Sequence, residues 1–66
     1  MDVVFDAAYS YFCEMMNNAK ENGYDLSSWD NHQIARDLYE FDGEAAKIGI
    51  KLLVRCAEKW KESLKD

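Results

Sequence analysis

Proline is missing from this chain altogether and only three glycines are present. Few positions therefore break a helix through their own backbone chemistry. The two cysteines, Cys13 and Cys56, stand far apart and outside any CxxC pair, and the N-terminus has neither the basic segment nor the long apolar run of a secretory signal. The expectation is a reduced, cytoplasmic chain whose thiols are free and buried in mostly apolar helices, with a disulfide or a metal site as the lesser alternative. No apolar run approaches the roughly 18 residues of a membrane span. Histidine occurs once, at His32, near an expected helix start, where a capping or surface role suits it better than catalysis. HExxH, P-loop, GxGxxG, EF-hand and zinc-finger spacings are all lacking, and Asp37, Glu40, Asp42 and Glu44 lack the regular spacing and central glycine of a calcium loop. These absences exclude the common catalytic signatures, so neither an enzyme nor a cofactor nor a metal is expected.

Apolar residues make up 48% of the chain and nine residues are aromatic, which argues against disorder. A chain of 66 residues is one domain at most and buries only about 60% of its unfolded surface. With no covalent staple, association with a second copy or a partner protein is the natural way to complete the core.

Periodicity organises the chain around its last third. From Gly43 onward, Ala45, Gly49, Leu52, Leu53, Cys56, Ala57, Trp60 and Leu64 fall on one side of a 3.6-residue helix, and Lys47, Lys51, Arg55, Glu58, Lys61, Glu62 and Lys65 on the other. That pattern predicts one amphipathic helix over 44–65, with Asp42 as its cap. Gly49, a costly residue in a helix interior, is explained on this reading by a close helix crossing near Ala45. Residues 2–21 predict a first helix with an apolar stripe of Phe5, Ala8, Tyr9, Phe12, Met15, Met16 and Ala19, closed near Asn22 and Gly23. Val4, Tyr11 and the flank of Met15 widen that stripe. They are either a second interface, used for dimerisation, or a surface covered by the following loop. Asp30 is placed to cap a second helix over 30–41, with Ser27 or Ser28 as alternative caps, and this helix turns Ile34, Leu38 and Phe41 inward with Ala35 and Tyr39 beside them. The fold class is therefore all-α: a single domain over 1–66 built as a three-helix bundle, with the long C-terminal helix as its spine and Trp60 and Leu64 meeting the far end of the first helix or a second subunit.

Charge is unevenly spread. Residues 1–42 carry nine acids against Lys20 and Arg36, whereas residues 43–66 carry four acids against six bases, within a chain of net charge −5. Asp25, Asp30, Asp37, Glu40, Asp42 and Glu44 gather around the second helix and its flanking turns. Such a surface repels nucleic acid and attracts basic clefts. Lys47, Lys51 and Arg55 recur at intervals of four and form either a solvated face or a nucleic-acid-binding stripe. Gln33-Ile34-Ala35-Arg36-Asp37-Leu38 is similar to the first helix of a helix-turn-helix, which implies that the basic stripe lies on a recognition helix. Tyr39 stands where that motif has its turn glycine, the following helix is too long, and the net negative charge weakens any phosphate contact.

In size, acidity, helical content and absence of catalytic motifs the whole chain resembles the small phage-encoded inhibitors that include anti-CRISPR proteins. The resemblance implies a non-enzymatic inhibitor whose carboxylates mimic the phosphates of DNA on the basic surface of a nucleic-acid-handling protein complex, with aromatic side chains as anchors. It carries over no individual residues. The residues expected to meet the partner are Asp30, Asp37, Glu40, Asp42 and Glu44, with Val4, Tyr11 and Met15 at a homodimer interface. The alternative is a dimeric regulatory module that reads DNA through Lys47, Lys51 and Arg55.

Overall fold

The computed structural model describes residues 2–65. Four α-helices account for most of them: α1 (Val3–Glu21), α2 (Asn31–Phe41), α3 (Gly43–Ile48) and α4 (Ile50–Leu64). No described residue lies in a strand.

Local chemistry sets each boundary. The Asp2 carboxylate accepts a 3.0 Å hydrogen bond from the Phe5 N–H and so satisfies one of the free donors that open α1. At the other end Gly23 has φ +89°. The Gly23 N–H reaches the Lys20 carbonyl at 3.0 Å and the Tyr24 N–H reaches the Ala19 carbonyl at 2.8 Å, the paired bonds of a glycine-closed helix end. Asp30 caps α2 through the His32 N–H at 3.1 Å. Asp42, the single residue between α2 and α3, is extended at φ −125° and ψ 129° and caps α3 through the Glu44 N–H at 3.2 Å.

The helix expected over 44–65 is two helices. Gly49 adopts φ +95° and ψ 152°, a conformation essentially reserved for glycine, and the chain changes direction there. A Cβ built at Gly49 meets nothing within 4 Å, so the glycine serves backbone geometry and not a close helix crossing. Apolar spacing did not reveal the break because both halves turn their apolar side to one core: Ala45 from α3, and Leu53, Cys56 and Ala57 from α4. The three-helix arrangement with a continuous C-terminal spine is corrected accordingly. The shorter α4 keeps part of that role, since both α1 and α2 pack on it.

Ala8, Phe12 and Met16 of α1 and Ile34, Ala35 and Leu38 of α2 complete the core. Phe12 has no exposed surface and meets Trp60 edge to face, with ring centroids 5.8 Å apart. Trp60 thus reaches the middle of α1, while Leu64 stays half exposed. Phe41, expected to point inward, is 83% exposed. It is the last residue of α2, only Asp42 separates it from α3, and the next buried side chain is Ala45.

Candidate functional site

Two surfaces stand out, one acidic and one apolar. Asp30 at the cap of α2 and Gln33, Asp37 and Glu40 along it recur at three- and four-residue intervals, the spacing that stacks side chains on one helix face. With His32 and Arg36 they line one open depression of about 360 Å³. All three carboxylates are exposed, and among the described residues the one ion pair is Lys47–Glu44 at 3.6 Å. Asp30, Asp37 and Glu40 therefore form no ion pair with the described lysines of the C-terminal third, although the Lys61 ammonium donates to the carbonyl of Trp29, the neighbour of Asp30. The face sets three carboxylates against one guanidinium.

The other two expected acidic contacts lie elsewhere. Asp42 is half-buried and both of its oxygens are engaged: Oδ1 accepts from the Glu44 N–H, and Oδ2 accepts a 2.7 Å bond from the Tyr11 hydroxyl. Burial first, and then the neighbouring Asp42 carboxylate, raise the Tyr11 phenol above its ordinary value. Glu44 lines a different groove, opposite α1. That groove, about 510 Å³, is formed by Val3, Val4, Ala7, Ala8 and Tyr11 of α1 and by Glu44, Lys47, Ile48 and Leu52 of α3 and α4. It contains Val4 and Tyr11 of the expected dimer interface. Met15 is half-buried, packed against the core and outside the groove.

The basic stripe is interrupted. Gly49 separates Lys47 on α3 from Lys51 and Arg55 on α4, so the three do not form one helical row. The Arg55 guanidinium sits 5.0 Å from the centre of the Phe5 ring, and the Lys59 ammonium lies 4.6 Å from that of Tyr9. These contacts use the attraction between a cation and an aromatic face. Lys59 was not singled out from the sequence, although its four-residue spacing from Arg55, matched by that of Phe5 and Tyr9 on α1, was a usable signal. Val3, adjacent to Val4, was the corresponding missed signal for the apolar groove.

Cys13 and Cys56 are both free. Burial pushes the Cys56 thiol up to about 11, which keeps it neutral and weakly nucleophilic near neutral pH. Among the described residues no three His, Cys, Asp or Glu side chains come together as a metal site would need, and Asp37, Glu40, Asp42 and Glu44 in particular are not gathered. No described helix is long and apolar enough to cross a membrane. No family model matches the chain, and no curated protein or solved structure matches it either.

Proposed function

We propose that this protein is a non-catalytic interaction module that inhibits a nucleic-acid-handling protein complex by laying the acidic face of α2 on its basic surface. The observation that carries this reading is the exposed row of Asp30, Asp37 and Glu40 on a single helix face, none of them in an ion pair, with Asp30 using one oxygen to cap α2 and keeping the other for a partner. Carboxylates held at fixed spacing on a folded scaffold present the charge that a lysine- and arginine-lined groove is built to receive. They also steer the encounter over a Debye length of about 10 Å at moderate salt. The contact set narrows from five carboxylates to these three, because Asp42 is committed to Tyr11 and the α3 cap, and Glu44 lies in the apolar groove. The resemblance to small phage-encoded inhibitors such as anti-CRISPR proteins fits this mechanism, with the cytoplasm as its setting.

The test is capture from a bacterial lysate with the wild-type chain and with the double variant Asp37→Lys/Glu40→Lys, followed by nucleic-acid binding of the captured complex. The wild type is expected to hold a basic nucleic-acid-binding complex and block its binding, and the reversed variant to lose at least tenfold in capture. Undiminished capture by the variant would sink the mechanism.

A second reading, a small DNA-binding regulatory module, draws on the exposed row of Lys51, Arg55 and Lys59 along α4. Duplex DNA binding that weakens steeply as salt rises would favour it over the inhibitor.

A further inference from the structure

The geometry points to a second copy of this chain as the occupant of the apolar groove between α1 and the α3–α4 junction, in a two-fold symmetric dimer. Val3 and Val4, consecutive at the start of α1, are 75% and 70% exposed and line one wall of the groove. Ile48 and Leu52, half-buried, lie in the opposite wall. An exposed apolar surface of this kind suits a contact, and exposed valines at the wall of a groove can enter the groove of a second copy.

Charge selects the copy over a strongly cationic partner. The groove is lined by one acid and one base, Glu44 and Lys47, whereas the chain as a whole carries −5. The groove therefore does not repel a second acidic chain, and the unpaired carboxylates of α2 are not among its lining residues. Glu44 and Lys47 sit one turn apart on α3, with side chains 69% and 78% exposed. In an isologous interface a residue that meets another across the axis is met by it in return. Antiparallel α3 helices then place Lys47 of each copy against Glu44 of the other, and the two weak exposed pairs, one within each chain, are exchanged for two pairs between the chains that flank an apolar contact. The inference is independent of what the α2 face binds.

Sedimentation equilibrium from micromolar to millimolar concentration tests it, using the wild type, Val4→Glu, Glu44→Lys, Lys47→Glu and an equimolar mixture of the last two. An acid in the first turn of α1 is compatible with the helix dipole, so Val4→Glu keeps its helical circular dichroism. The expected results are a reversible monomer–dimer equilibrium for the wild type and at least a tenfold weaker dimer for Val4→Glu. Each charge variant alone should associate more weakly, and mixing should restore association. A wild type that stays monomeric throughout overturns the proposal and leaves the groove to a helix of a different protein. So does a dimer that Val4→Glu leaves intact, or charge variants whose mixture associates no better than either alone.

Discussion

The hydroxyl of Tyr11 donates a 2.7 Å hydrogen bond to Oδ2 of Asp42, 31 residues further along the chain. The other oxygen of that carboxylate caps α3. One side chain thus ties the middle of α1 to the turn between α2 and α3. The sequence offered Tyr11 to a second interface or to the cover of a loop, and Asp42 to a partner as well as to the cap of the following helix; the fold keeps the cap and engages the two residues with each other.

Removing the phenolic oxygen while keeping the ring isolates this bond. Tyr11→Phe is expected to lower the free energy of unfolding by about 1–2 kcal/mol, read from urea titration. Asp42→Ala is expected to cost more, because it also removes the cap of α3. Asp42→Asn, which can still cap, should fall between the wild type and the alanine variant.

The structure also predicts an alkaline limit to stability. Burial raises the Cys56 thiol from its ordinary 9.0 to about 11. Burial also raises Tyr11 and Tyr9 above their ordinary 10.0, helped by Asp42 for the former and the Cys13 thiol for the latter. The unfolded chain therefore releases these protons first, and the folded state loses stability as pH climbs. Urea midpoints should decline from pH 9 upward. Cys56→Ala should remove its share of the loss between pH 9 and 11, and Tyr11→Phe should flatten part of the decline from pH 10 upward. A midpoint that is level or rising across this window would contradict the burial of these groups.

Gly49→Ala separates a broken helix from a continuous one by the sign of its effect. In an uninterrupted helix the substitution would stabilise by about 1 kcal/mol. At φ +95° and ψ 152° an alanine is strained despite the open space around it, and the expected outcome is a loss of about 1–3 kcal/mol. Thermal or urea unfolding of the single variant decides between them.

Two phenylalanines give a contrast in burial. Phe12→Ala removes a ring with no exposed surface and its edge-on contact with Trp60, and should cost about 3–5 kcal/mol, enough to unfold much of a small domain. Phe41→Ala, at an 83% exposed position, should stay within about 0.5 kcal/mol of wild type. Circular dichroism melts of the two variants are sufficient.

Much of the local structure was legible in the residues themselves. The 3.6-residue recurrence of Phe5, Ala8, Phe12 and Met16 and of Ile34 and Leu38 placed the inner faces of α1 and α2. Asp30, Asp42 and Gly23 marked ends because capping and left-handed closure depend on one side chain, or on the lack of one, and its nearest backbone groups. The overabundance of acid before Gly43 was likewise open to view.

Spacing along one helix does not register where a neighbouring helix lies, and this is where tertiary structure took over. It turned Gly49 from an interior helix residue into a corner, left Phe41 in solvent, and paired Tyr11 with Asp42. It also divided five carboxylates between an open acidic face, an internal tie and an apolar groove. Helix type, caps and net charge follow from interactions within a few residues. Which side chains are left free to meet another molecule depends on contacts between residues far apart in the chain, and only the packed structure brings those together.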